Sequence, residues 1–242
     1  MSTIISIAET TAQWAQHRQL TAVFTQQTGS TNDDAKKQAL HETADWVLYV
    51  TGHQTKGRGR GANTWLDTGG GECLLSTWSL RTPQPPQPIA APRVGLALYQ
   101  AAIAAWPSLE WSLKAPNDLF LGGHKVAGLL LETVTNGSQH RLLIGLGMNI
   151  LNHPRSFNSA EHLSKTLAHS LDEGEWFHFL DELRQELETA LSELQHTTLQ
   201  PAICRNLTQA LNANSARPFT VREVSPQGDL IHDKGTVKWI DI

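Results

Sequence analysis

Two glycine turns, Gly122-Gly123 and Asn136-Gly137, bracket the largely apolar run at residues 125–134. Such pairs reach the positive φ angles that a tight hairpin turn requires. The run is therefore predicted to be a strand with a strand neighbour on either side, at 119–121 and 142–144. Further strands are expected at 21–27, 46–51, 73–80 and 110–114. Helices are expected from Ser30 or Thr31, either a good N-cap, to about Leu40, with Asp33 and Asp34 in the first turn, where the helix dipole favours carboxylates. A buried helix is expected at 89–106, where Leu96, Tyr99, Ile103 and Trp106 recur at helical spacing. An amphipathic helix carries Phe179, Leu183, Leu187 and Leu191 over 175–195, and another helix covers 201–211. Beyond Asn214 the pattern turns to short strands at 218–224, 229–231 and 236–240. The fold class predicted is α+β, a mixed and largely antiparallel sheet flanked by helices. A large domain spans 1–214 and a small C-terminal β segment spans 215–242.

Composition narrows the function. Of 242 residues, 40% are hydrophobic and 17% charged, enough apolar content for a sizeable core and not the profile of a disordered chain. The net charge of -4 argues against nucleic-acid holding as the main task, so any anion site must be local. Cys73 and Cys204 form no CxxC pair, which favours free thiols in a reducing cytoplasm. The N-terminus lacks a basic start followed by an apolar core, so no signal peptide is expected. No apolar run approaches the ~20 residues of a membrane span. The eleven histidines show no metal spacing, and none is assigned to a metal.

Four stretches carry polar chemistry on unusual backbone. Gln54 to Trp65 reads QTKGRGRGANTW. Its glycines let backbone N–H groups approach an anion, and Arg58 and Arg60 add bidentate donors suited to carboxylate or phosphate. It is neither a P-loop nor a dinucleotide fingerprint, and a mobile basic loop remains open. In KAPNDL, Pro116 holds Ala115 extended and leaves Asn117 and Asp118 at a strand break, which is also ordinary turn chemistry. In HKVAGLLLE, Lys125 opens an apolar strand, where a snorkelling surface lysine is the plain reading, and Glu132 ends it. In IGLGMNI, two glycines inside a strand signal close approach of another group, or a bulge, and Asn149 offers an amide at the strand end.

In their order and spacing these stretches, with Ser30-Thr31-Asn32 ahead of them, resemble the biotin–protein ligase family. The family pattern runs S-T-N, Q-x-x-G-R-G-R closing on Trp, K-W-P-N-D, K-[LV]-A-G-[IL]-L-x-E and I-G-x-G-x-N, and the matching blocks span about half the chain. The resemblance implies a class II synthetase-like catalytic domain followed by an SH3-like segment, here short for a full barrel. It implies ATP and biotin as substrates with Mg²⁺, and a biotin carboxyl carrier domain of a carboxylase as partner. It leaves a homodimer open. Only 29 residues precede the motifs, too few for the DNA-binding module of some family members, so no DNA binding is expected.

Carried over residue by residue, the resemblance puts Ser30, Thr31, Asn32 and Gln54 against biotin. Arg58, Gly59 and Arg60 hold its carboxylate and the phosphates. Lys125 sits beside the carboxylate that becomes the mixed anhydride, Asn117 and Asp118 position the reacting groups or Mg²⁺, and Trp65 and Asn149 contact the adenine side. The predicted catalytic residues are Lys125, Arg58, Arg60 and Asp118. Three departures stand out: Ala115 replaces the usual Trp, the loop lacks one or two cations after Arg60, and Glu72 stands where Asn is usual. The alternatives are a lipoate– or octanoate–protein ligase on the same fold, a degenerate binder of biotin or nucleotide, and an RNA-contacting loop.

Overall fold

The computed structural model describes residues 4–154, 160–194, 196–213 and 220–241. In chain order it contains α1 (Ile7–His17), β1 (Thr21–Thr25), α2 (Thr31–Gln38), β2 (Trp46–Thr51), β3 (Cys73–Thr82), α3 (Ala90–Ala105), β4 (Trp111–Lys114) and β5 (Asp118–Leu121). Next come β6 (His124–Asn136), β7 (Gln139–Asn149), the single turn α4 (Leu163–Thr166), α5 (Glu173–Ser192) and α6 (Pro201–Asn212). The chain closes with β8 (Val221–Val224), β9 (Leu230–His232), β10 (Gly235–Val237) and a 3-10 turn at Trp239–Asp241. The class is the one expected: mixed α+β with a largely antiparallel sheet. The chain divides into two compact units, Met1–Pro85 with Val126–Leu180, and Pro86–Lys125 with Asp181–Ile242.

In the first unit the strand order is β1-β2-β3-β7-β6. β1 runs parallel to β2, with Thr21 opposite Val47, and the other neighbours are antiparallel. The β6–β7 hairpin forms where Asn136-Gly137 predicts it. Gly137 has φ +58, and Asn136 pairs with Gln139. Both strands run beyond their apolar stretches, because ladder hydrogen bonds continue through Thr133, Thr135 and His140, whose polar side chains hide them from a periodicity reading. The central β3 is buried on both faces, including its hydroxyls Ser76, Thr77 and Ser79.

α1 is a helix that the sequence reading passed over. Its signal was legible: Ser6-Ile7-Ala8-Glu9 is a capping-box pattern, and Ser6 Oγ accepts from the Glu9 N–H at 3.3 Å. Ile7, Thr11, Trp14 and Ala15 face inward. Trp14 meets Trp78 edge-on at 5.9 Å, and Trp176 Nε1 donates to Thr11 Oγ1 at 3.0 Å, so this end of the core is built around indoles.

In the second unit, β4 and β5 form a hairpin in register from Trp111 opposite Leu121 to Lys114 opposite Asp118. Ala115, Pro116 and Asn117 make its turn, with a cis Ala115–Pro116 peptide. β8, β9 and β10 form a small antiparallel sheet. The strand expected at 236–240 stops at Val237, and the chain instead turns inward at Trp239. That indole is 4% exposed and donates to Pro116 O at 2.7 Å. Burying a large indole with its N–H satisfied outweighs extending an edge ladder. It also brings an aromatic ring beside the turn that has Ala115 in place of Trp.

α5 spans Glu173–Ser192 rather than 175–195, and Gln195 lies outside the described residues. So do the expected domain boundary between 214 and 215 and the start of the strand expected at 218. No helix among the described residues is long and apolar enough to cross a membrane.

Candidate active site

The stretch from Gln54 to Trp65 folds as a tight hairpin. Trp65 N donates to Gly57 O at 3.0 Å, Gly59 N donates to Asn63 O at 2.8 Å, and Gly61 takes φ +64 at the tip. Gly57 is required by close approach, since a Cβ there would collide with the Trp65 carbonyl. The stalk of this hairpin hangs on one buried carboxylate. Asp67, with its side chain 1% exposed, accepts from Gln54 N at 3.0 Å and Gly69 N at 2.6 Å and lies 2.7 Å from His53 Nδ1. Hydrogen bonds to a buried charge contribute about 1.5–3 kcal/mol. Asp67→Ala should therefore lower unfolding stability by about 2 kcal/mol. A urea midpoint equal to that of the wild type would remove Asp67 from this role.

Arg58 does not stand free to meet a ligand. Its Nη1 donates to Glu132 Oε1 at 3.2 Å, its Nη2 makes a short bond to Glu132 Oε2, and Nη2 also lies 2.9 Å from Asp33 Oδ1. Arg60 is exposed and forms no ion pair with any described residue. Glu132 gathers further partners: Asn32 Nδ2 donates to it at 3.0 Å, and Lys36 Nζ lies at 3.4 Å. Burial pushes the Glu132 carboxyl up, but Arg58, Asn32 and Lys36 outweigh that and hold it below its ordinary 4.5. A carboxylate lowered in the folded state stabilises above its unfolded pKa, and that contribution is lost as pH falls through the folded value. Acidification below about 4.5 should thus weaken the protein, and Glu132→Gln should flatten this part of the stability–pH curve. Superimposable curves for the two proteins would refute the assignment.

Asn32 is buried and fully engaged. Besides Glu132 it donates to Leu130 O at 3.3 Å, and its Oδ1 accepts from the Thr77 hydroxyl at 2.6 Å. Thr77 lies 2.9 Å from Thr31 Oγ1, and Thr31 N donates to Gln54 Oε1 at 2.8 Å. Ser30 occupies the N-cap position of α2 and is buried, but its side chain makes no capping bond. Thus Ser30, Thr31, Asn32, Gln54 and Arg58 come together in one unit, knitted by Thr77 and Glu132. The sequence reading assigned no role to either of those two. Glu132 closes the HKVAGLLLE block, which was its only signal, and Thr77 carries none.

The two strand glycines mark close approaches, not a bulge. A Cβ at Gly145 would overlap the Asn32 carboxamide, with Cγ at 2.9 Å, and a Cβ at Gly147 would lie 2.5 Å from Trp65 Cε2. Trp65 therefore lies against β7, and Gly59 packs tightly on Asn63. Asn149, at the end of β7, is buried and donates to Glu161 O at 3.1 Å. Cys73 is a buried strand residue, with burial pushing its thiol up to about 12.

In the second unit, Lys125 Nζ lies 2.7 Å from Asp118 Oδ1, with side chains 35% and 17% exposed. Asn117 sits half-buried in the adjoining turn. These groups can neutralise and orient anionic oxygens. Neither cysteine has a catalytic setting, since both are free and buried. The sequence spacing offers no metal ligands, yet folding brings His153, Glu161 and His162 together.

The family model for biotin/lipoate A/B protein ligases matches residues 17–149, a span that contains every motif block. A biotin--[acetyl-CoA-carboxylase] ligase of Mycobacterium tuberculosis is 36% identical over 145 residues, covering 57% of this chain and 51% of that protein. Its counterpart in Paracoccus denitrificans is 38% identical over 134 residues, covering 52% and 53%. The chain spans about half the length of these curated relatives. The fold is shared with the biotin protein ligase from Aquifex aeolicus in complex with biotin and ATP, at TM-score 0.66 and 19% identity, covering 90% of this chain and 94% of that one. The Leishmania major biotin protein ligase in complex with biotinyl-5-AMP gives 0.63 and 21%, covering 90% and 97%. With its motif blocks interlocked around β7 and the family model covering more than half its length, this chain belongs to the biotin/lipoate A/B protein ligase family.

Proposed function

We propose that the protein activates biotin with ATP and transfers it to a lysine of a biotin carboxyl carrier domain of a carboxylase, in the cytoplasm. The observation that carries this reading is the seating of Asn32 and Trp65 against Gly145 and Gly147. It interlocks the S-T-N block, the arginine loop and the G-L-G-M-N block of the biotin–protein ligase pattern.

In the first step a biotin carboxylate oxygen attacks the α-phosphorus of ATP. The bond from that phosphorus to the bridging oxygen breaks, and pyrophosphate leaves with the electron pair. In the second step the carrier lysine amine attacks the biotinyl carbonyl carbon, the bond to the AMP oxygen breaks, and the amine releases its proton to solvent. Both steps concentrate negative charge on oxygen, and preorganised cations and N–H donors stabilise it. Ser30, Thr31, Asn32 and Gln54 serve biotin, with Asn32 held rigid by Thr77 and Glu132. Arg58, the Gly59 backbone and Arg60 receive the carboxylate and phosphates. Arg58 exchanges Glu132 and Asp33 for these oxygens, so substrate charge replaces protein charge at one guanidinium. Lys125 meets the carboxylate that is activated, and Trp65 and Asn149 serve the adenine side.

Asp118 offers a hard carboxylate oxygen, which fits the usual pattern of Mg²⁺ held by one or two carboxylates and substrate phosphates. Asp118 and Asn117 would hold the ion, which would supply charge neutralisation on the phosphates.

The test is incubation with ATP and either biotin or lipoate, measuring pyrophosphate and acyl-adenylate. Biotin-dependent pyrophosphate supports the proposal. Lipoate-dependent release would instead select the lipoate reading, and tight biotin binding without turnover would make the protein a binder.

A further inference from the structure

We propose that His153, Glu161 and His162 form a binding site for one zinc-class divalent transition-metal ion, with a coordination position left open. The site lies in the first unit, after β7, and is independent of the ligase reading.

The geometry carries it. His153 Nδ1 lies 2.8 Å from His162 Nδ1. Glu161 Oε1 lies 3.7 Å from the first and 3.3 Å from the second. Ligand atoms at bonds of about 2.0–2.2 Å around a tetrahedral ion stand roughly 3.3 Å from one another. The three separations bracket that value, so the donors close into a triangle of the required size without any side chain moving far. The two rings are tilted by 34° with centroids 5.1 Å apart, so they converge edge-first on their nitrogens rather than stacking.

The Glu161 carboxylate and the backbone at His153 are held from behind. Glu161 Oε2 is taken by Lys165 Nζ at 2.5 Å, Oε1 faces the two rings while also accepting from His162 N at 3.1 Å, and Glu161 O accepts from Asn149 Nδ2 at 3.1 Å. His153 N donates to Asn152 Oδ1 at 2.9 Å, and Asn152 Nδ2 donates to Glu72 Oε2 at 3.2 Å. Such outer partners preorganise ligands and raise affinity. Glu72, the charged residue where the family pattern has Asn, thus serves this cluster and adds negative charge that favours a cation. Two imidazole nitrogens and one carboxylate oxygen suit zinc, cobalt or nickel. Mg²⁺ and Ca²⁺ prefer all-oxygen sets. The ion would tie Glu161, and through it Asn149 at the end of β7, to the chain at His153. Without an ion, a proton shared between the two facing nitrogens is the competing arrangement.

The experiment uses the whole metal-stripped protein, with zinc and cobalt ions alone as probes. Calorimetry should show one zinc equivalent whose affinity falls at least about tenfold in His153→Ala and in His162→Ala. Substitution of exposed His41 should leave binding unchanged, and excess Mg²⁺ should not compete. Because a variant can misfold, the zinc absorption edge of the wild-type protein is measured too and should report two imidazoles per ion. Absence of stoichiometric zinc, equal binding by the variants, or fewer than two imidazoles would overturn the site and favour the shared proton.

Discussion

Lys125→Ala is expected to cut biotin-dependent pyrophosphate release by about 10²–10³, the usual cost of removing one preorganised donor to a developing oxyanion. Lys125 lies at the start of β6 and pairs with the Asp118 carboxylate at 2.7 Å. Its side chain is 35% exposed. The solvent-screened pair contributes under about 1 kcal/mol to folding, so the variant should remain folded. A large rate loss in a protein of unchanged stability separates a lysine that meets the reacting carboxylate from one that only decorates a strand. Lys125→Arg keeps the charge but exchanges a compact ammonium for a planar fork, so it should recover only part of the rate. A folded Lys125→Ala enzyme with wild-type pyrophosphate release would remove Lys125 from the mechanism.

The second large effect concerns the β7 glycines, because their variants should fail differently. A methyl at Gly145 would overlap Asn32, which cannot swing aside without breaking its bonds to Thr77, Leu130 O and Glu132. Overpacking together with a broken buried hydrogen bond costs about 3 kcal/mol. Gly145→Ala should lower stability by about that amount and raise the KM for biotin. A methyl at Gly147 would displace the Trp65 ring instead, at the face of the arginine hairpin. Trp65 is only half-buried and can move outward, so Gly147→Ala should cost less stability and fall mainly on the KM for ATP. Urea unfolding with separate biotin and ATP titrations distinguishes the two. Identical KM changes in both variants would refute the division of the two glycines between biotin and nucleotide.

Much of the fold was legible in the chain. Asn136-Gly137 forces a hairpin, and α3 forms where its apolar spacing predicts a helix, although Ile103 of that spacing is 37% exposed; each depends on interactions within a few residues. Errors arose where a distant partner competes with the local pattern. The strand expected to run to Ile240 ends early because Trp239 finds a buried position and the Pro116 carbonyl. The polar ends of β6 and β7 look like loop until their ladder partners are known.

The candidate site divides in the same way. Arg58, Asn32, Gly145 and Gly147 could be named from the chain because their types and order are unusual for a loop and a strand. Local chemistry thus dictates the turns, the amphipathic helices and the identity of the polar donors. It does not dictate which charges meet. The pairing of Arg58 with Glu132 joins two segments far apart in sequence, as does the service of Thr77 to Asn32, and folding also gathers His153 with Glu161 and His162. Such pairings are set by strand order and loop closure rather than by neighbouring residues. The electrostatics of an acidic protein with a basic hairpin therefore resolve only once the sheet has formed.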